Sequence, residues 1–127
     1  MAKIIACDDE PYIVQGLRYL LESEGYDVSI ANNGIEALEL IEKEVPDMLI
    51  VDVMMPKMSG FQVVQTLRCR PETKSLIIMM LTAKGQRSDA VYAREIGATD
   101  FMTKPFSPIK LRERVRSLLA EKCEAPA

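Results

Sequence analysis

Asp52 closes a short apolar run, Met48-Leu49-Ile50-Val51, and Met55-Pro56 turns the chain away just beyond it. Three other apolar runs end in polar groups. Ile4-Ile5-Ala6-Cys7 delivers Asp8-Asp9-Glu10, Leu76 to Leu81 delivers Thr82-Ala83, and Asp100-Phe101-Met102-Thr103 delivers Lys104-Pro105. Runs of this length suit strands buried on both faces of a parallel sheet. A buried strand tolerates a charge only at its mouth, where water or a cation reaches it, and open α/β sheets bind ligands at the carboxyl ends of their strands. Parallel alignment gathers carboxylates, a hydroxyl and an ammonium at one edge. That set suits phosphoryl transfer to a carboxylate, with Asp52 as nucleophile, acids to hold a divalent cation, and Thr82 and Lys104 to meet phosphoryl oxygens.

Each of these residues also has a plainer reading. Asp8 and Asp9 precede Pro11 and could simply start a helix. Yet unit charges about 4 Å apart repel by about 4 kcal/mol at an effective dielectric of about 20. Three carboxylates at one edge therefore call for a counter-ion, and a few oxygen ligands suit Mg²⁺ with retained waters. Glu10 reads as peripheral. Thr82 could be an ordinary strand-end threonine and Lys104 a surface lysine, although Pro105 restricts the backbone that carries Lys104. Phe101 reads either as core or as a group that moves. Arg68 with Arg70, and Lys110, Arg112, Arg114 and Arg116, read as solvated helix faces.

The elements that must position these groups alternate strand and helix five times. Strand Lys3–Cys7 leads to a helix near Pro11–Glu24 with Ile13, Leu17, Leu20 and Leu21 inward, stopped by Gly25. Strand Tyr26–Ala31 and the turn Asn32-Asn33-Gly34 precede a helix over Ile35–Glu44. Strand Asp47–Val51 follows Pro46, and Ser59-Gly60 opens a helix to about Arg70. After Pro71-Glu72-Thr73 come strand Leu76–Leu81 and a fourth helix from about Gln86 to Ile96. The last strand, Asp100–Thr103, precedes a fifth helix that starts at Ser107-Pro108, a Ser cap with Pro at the first helical position. This alternation implies a doubly wound parallel sheet with helices on both faces. With 127 residues, 48% of them hydrophobic, the chain suits one core. The domain is expected over residues 1–120, with 121–127 a frayed tail.

Composition narrows the function. A net charge of −3 leaves no basic footprint for nucleic acid. No apolar stretch approaches the roughly 20 residues of a membrane span, and the N-terminal apolar run is too short for a signal peptide. Cys7, Cys69 and Cys123 lack metal-site spacing and read as reduced thiols, which suits the cytoplasm. The chain has no histidine, so Ser-His-Asp triads and His-based zinc sites are excluded. A phosphohistidine donor, if one is used, comes from another chain.

The acidic pair Asp8-Asp9, Asp52, Met55-Pro56, Gly60, Thr82-Ala83 and Lys104-Pro105 together resemble the receiver domain of two-component response regulators, in order and spacing, over nearly the whole chain. The resemblance implies a flavodoxin-like (βα)5 fold with strand order 2-1-3-4-5. It implies a switch phosphorylated on Asp52 by a sensor histidine kinase or phosphotransfer protein, rather than an enzyme acting on other substrates. Mg²⁺ would be bound directly by Asp9, Asp52 and the carbonyl of Met54, with Asp8 acting through water. Thr82, Ala83 and Lys104 would handle the phosphoryl group, Phe101 would be the switch aromatic, and the Lys104–Pro105 peptide would be cis. Met54 and Lys84 would flank the path of hydrolytic water; neither can orient it, which implies a long-lived phosphoryl group. The phrase around Thr82-Ala83-Lys84-Gly85 and Lys104 to Pro108 is most similar to receivers of winged-helix transcription factors. Those use the fourth helix, last strand and fifth helix as output face and dimer interface, with Asp100 and Arg114 matching a cross-chain pair. Ala90 and Lys110 depart from a second such pair, so only a weak homodimer is implied. A phosphohydrolase of the haloacid dehalogenase type would need an acid at position 54, where Met54 stands. A receiver acting as an unphosphorylated interaction module would have lost site residues that are intact here. The chain reads as a stand-alone regulator or as the regulatory piece of a longer protein, with kinase and output unnamed.

Overall fold

The computed structural model describes residues 1–83 and 87–124, apart from the side chains of 83, 87–89 and 122–124. Its elements are β1 (Lys3–Cys7), α1 (Pro11–Glu22), β2 (Asp27–Ala31), α2 (Gly34–Lys43), β3 (Met48–Asp52), α3 (Gly60–Arg68), a 3-10 turn (Pro71–Thr73), β4 (Ile77–Ala83), α4 (Arg87–Ile96), β5 (Asp100–Lys104) and α5 (Pro108–Glu124). The five strands form one parallel sheet in the order β2-β1-β3-β4-β5, as expected. Among the described residues no helix is long and apolar enough to cross a membrane.

Strand periodicity splits the core in two. Side chains alternate faces along a strand, so Ile5 and Cys7 of β1, Leu49 and Val51 of β3, and Ile78 and Met80 of β4 pack with Ala37 and Ile41 of α2, Val63, Val64 and Leu67 of α3, and Ala93 of α4. Ile4, Ala6, Met48, Ile50, Ile77, Met79 and Leu81 point the other way, against Leu17 and Leu21 of α1 and Leu111, Val115 and Leu119 of α5. This is why β1, β3 and β4 read as unbroken apolar runs.

Several boundaries differ from expectation for local reasons. α1 ends at Glu22 and leaves through Gly25, whose φ of 91° suits a residue without a side chain. On α1 the fully buried positions are Val14, Leu17 and Leu21, whereas Ile13 and Leu20 are only half-buried. Helix α5 continues through Glu124, so four residues of the segment expected to fray are helical. α3 opens with the reciprocal cap that Ser59 and Gln62 allow: each side chain bonds the other's backbone N–H.

The basic clusters are not simply solvated faces. Arg68 donates to the carbonyls of Gly97 (2.8 Å), Thr73 (3.0 Å) and Lys74 (3.1 Å) and to the Thr99 hydroxyl (3.4 Å). It ties the ends of α3 and α4 to the segment entering β5. Arg70 pairs with Glu42, and Arg116 with Glu24.

Two glycines give opposite expectations. A Cβ on Gly60 would stand 2.2 Å from the carbonyl oxygen of Asp52, whereas one on Gly16, exposed in mid-helix, would meet nothing within 4 Å. Gly60→Ala should therefore cost about 2 kcal/mol or more through forced backbone movement, and Gly16→Ala should gain about 1 kcal/mol in helix propensity. Urea denaturation of both variants checks this, and a neutral Gly60→Ala would show that the β3–α3 connection is looser than it looks.

Candidate functional site

The carboxyl ends of β1, β3, β4 and β5 meet at one edge of the sheet. β3 lies between β1 and β4, so Asp52 emerges from the middle. Its neighbour Val53 extends the ladder by donating to the Leu81 carbonyl at 2.9 Å, and Gly60 N–H bonds back to the Val53 carbonyl at 2.9 Å. The missing side chain at Gly60 lets α3 start directly against the Asp52 backbone. Asp8 leaves β1 fully buried, and its carboxylate accepts the Glu10 N–H at 3.0 Å.

Lys104, at the end of β5, sends its ammonium across to this edge. Nζ lies 3.1 Å from Asp8, 3.1 Å from Glu10 and 3.2 Å from Asp52. The Lys104–Pro105 peptide is cis, as the family resemblance implied. Glu10, expected at the periphery, is thus part of the charge cluster, and it also accepts a hydrogen bond from the Tyr12 phenol. Neither Glu10 nor Tyr12 carried a sequence signal for this role beyond adjacency to the acidic pair, because the contact arises between residues 94 positions apart.

The electrostatics follow from burial. Loss of water pushes the Asp52 carboxyl up to about 6; the charge of Asp8 adds to the rise and Lys104 opposes it. Burial also raises Asp8, against the Glu10 N–H and Lys104. Glu10 is lowered, first by the Tyr12 hydrogen bond and then by Lys104. Burial pulls the Lys104 ammonium down, but its bonds to Asp8 and Glu10 and the charge of Asp52 outweigh this and leave it raised. Burial pushes the Cys7 thiol up to about 12, so it packs as an inert group.

One carboxylate oxygen from each of Asp8, Asp9 and Glu10 lies within 4.8 Å of the others. Hard oxygen donors in this number fit a divalent cation that keeps part of its water shell. An open cavity of about 580 Å³ adjoins them, lined by Asp9, Glu10, Tyr12, Ile13, Asp52, Met54, Lys104 and Pro105. The expected ligand residues Asp9, Asp52 and Met54 thus share one cavity wall, with the Met54 side chain largely exposed at its mouth.

The remaining expected residues fall as follows. Thr82 is buried near the end of β4, in register with Thr103, and Ala83 is in register with Lys104. Phe101 is half-buried, paired with Met80 and packed on the core between the sheet and α2, α3 and α4. Asp100 and Arg114 form an ion pair within this one chain. Lys84 lies outside the described residues.

The raised Asp52 carboxyl makes stability depend on pH. Between pH about 4 and 6 the native state holds a proton that the unfolded chain has lost, so stability falls as pH rises through that window. A rise from 3.8 to about 6 corresponds to about 3 kcal/mol, at about 1.4 kcal/mol per tenfold change in proton affinity. In metal-free buffer Asp52→Asn should gain stability over wild type as pH rises through this window, by up to that amount. Urea denaturation at both ends of the range tests it, and a pH-independent difference would mean Asp52 titrates normally.

Comparison with known proteins agrees with this geometry. Residues 4–116 match the response regulator receiver domain family. The alkaline phosphatase synthesis transcriptional regulatory protein PhoP of Bacillus subtilis (strain 168) is 47% identical over 117 residues, covering 92% of this chain and 48% of that protein. The phosphate regulon transcriptional regulatory protein PhoB of Rhizobium meliloti (strain 1021) is 42% identical over 119 residues, covering 94% of this chain and 52% of that protein. The chain spans about half the length of these curated relatives. Among solved structures, a response regulator from Chloroflexus aurantiacus superposes with a TM-score of 0.90 at 39% identity, covering 94% and 98% of the two chains. The chemotaxis response regulator CheY4 of Vibrio cholerae gives 0.88 at 36% identity, covering 93% and 98%. An acidic edge with a lysine reaching into it, on a 2-1-3-4-5 sheet, thus stands on a chain that belongs to the response regulator receiver domain family.

Proposed function

We propose that this chain is a phosphorylation-controlled switch in which Asp52 accepts a phosphoryl group from the phosphohistidine of a sensor kinase or phosphotransfer protein, or from a small acyl phosphate. One observation carries the reading: the Asp52 carboxylate is buried at the sheet edge, faces an open cavity, and has the Lys104 ammonium 3.2 Å away. In the transfer an Asp52 oxygen bonds to phosphorus as the nitrogen–phosphorus bond of the donor breaks. The imidazole departs and an aspartyl phosphate remains. Asp9, Asp52 and the Met54 carbonyl, with Asp8 through water, would hold Mg²⁺, which would supply positive charge at the site. Lys104 neutralises phosphoryl oxygens and Thr82 bonds one of them. Water later hydrolyses the acyl phosphate, so the only reactions promoted are the chain's own phosphorylation and dephosphorylation.

The output face in this reading is α4, β5 and α5, with Phe101 transmitting the change through its packing. The relatives named as transcriptional regulators favour control of transcription in the cytoplasm, through an effector region or partner outside this chain. Dimerisation through Asp100 and Arg114 would be weak, since each already has a partner in its own chain.

With acetyl phosphate and Mg²⁺, the intact protein should gain one phosphoryl mass and Asp52→Asn none. An equal gain in Asp52→Asn would overturn the assignment. The phosphoryl group should then persist for minutes to hours, because the exposed Met54 side chain carries no carboxylate or amide to orient water. Decay should quicken several-fold in Met54→Asn combined with Lys84→Glu, and unchanged decay would remove these positions from control of the lifetime.

A further inference from the structure

The Lys104 ammonium has three N–H donors, and three carboxylates, those of Asp8, Glu10 and Asp52, crowd it at 3.1–3.2 Å. Asp8 and Glu10 accept hydrogen bonds from it and Asp52 adds a charge contact, so an incoming phosphoryl oxygen must compete with these carboxylates for the ammonium. Asp8 is fully buried and also holds the Glu10 N–H. Asp52 is buried and is the nucleophile itself. Glu10 alone is on the solvent side, with 40% of its side chain exposed against 0% for Asp8 and 5% for Asp52. It also walls the cavity from which a donor must enter. Its second carboxylate oxygen is tied down by the phenol of Tyr12, the second residue of α1 and itself largely exposed on the same wall.

We propose that Glu10, held in place by the Tyr12 phenol, is a latch on Lys104 that a phosphoryl donor must displace, so that this pair sets the site's selectivity against small anionic donors. The inference rests on the phosphoryl-transfer reading and deepens it. A carboxylate already on the ammonium competes with the donor's own anionic oxygens. A small acyl phosphate has only those oxygens with which to compete. A protein donor brings further contacts and can open the latch with them. Tyr12 is therefore a positioning residue: its phenol bonds Glu10 and acts on Lys104 through that carboxylate.

The test separates latch from net charge. Tyr12→Phe removes one hydroxyl and changes no charge at neutral pH, whereas Glu10→Gln removes the competing anion. Both positions are on the surface, so both variants should fold. With acetyl phosphate and Mg²⁺ the second-order rate of mass gain should rise severalfold in Glu10→Gln and by a smaller factor in Tyr12→Phe. The two changes should not add, because without the Glu10 carboxylate the phenol no longer holds an anion against Lys104. A second readout needs no transfer: phosphonoacetate, a small anion whose phosphonate cannot be transferred, should bind both variants more tightly than wild type, followed by chemical shifts of Lys104. Unchanged phosphonoacetate affinity in Tyr12→Phe, or independent, additive effects of the two substitutions, would overturn the latch. If no variant gains mass while phosphonoacetate affinity follows the expected order, the latch stands as an anion gate and the phosphoryl-acceptor reading fails instead.

Discussion

One ammonium among three carboxylates is the constraint on which this structure depends. Two of those acids are buried, and a buried charge without a partner costs several kcal/mol. Lys104 makes their burial tolerable, and it can do so only if β5 lies two strands from β3 with its end level with Asp52 and Asp8. The parallel register supplies that. Asp52 is in line with Leu81, and Ala83 with Lys104, so one strand, β4, separates acid from base. The lysine's four-carbon stem bridges the gap. A sheet slipped by one residue would turn every core side chain to the wrong face and would also separate these charges.

The compensation is incomplete, and that is chemically useful. Asp52 remains well above the usual carboxylate range despite Lys104, first because burial strips it of water and then because Asp8 repels it, and further positive charge would offset both. The core around it is dense and apolar on both sides of the sheet. Nearby groups that could compete as nucleophiles are silent, since burial keeps the Cys7 thiol protonated. Of the three carboxylates that line the cavity, those of Asp9, Glu10 and Asp52, only that of Asp52 is buried.

Much of this was legible in the sequence, and the reason is physical. Strands buried on both faces appear as apolar runs, so β1, β3 and β4 and the polar groups at their ends could be read directly. Strand order came from family resemblance, because periodicity carries no information about which strand pairs with which. Glu10 and Arg68 show where reading stops. Glu10 meets Lys104 across 94 residues of chain, and Arg68 meets Gly97 across 29. Both looked like ordinary surface charges, since nothing in a linear pattern marks the partner of a long flexible side chain. Ile13 and Val14 show a finer limit: adjacent apolar residues on a helix compete for the inward direction, and only packing decides between them.

The Asp100–Arg114 pair has a consequence for association. If two copies exchanged these partners, each copy would break one ion pair and form one, so the count would be conserved. Charge would then decide which geometry two chains adopt without supplying much drive toward it, while joining them still costs translational and rotational freedom of at least about 4 kcal/mol. Any net attraction would have to come from apolar surface, and Val91 on α4 and Ile109 on α5 are exposed. The ion pair would act as a register key, with the grip supplied by hydrophobic contact.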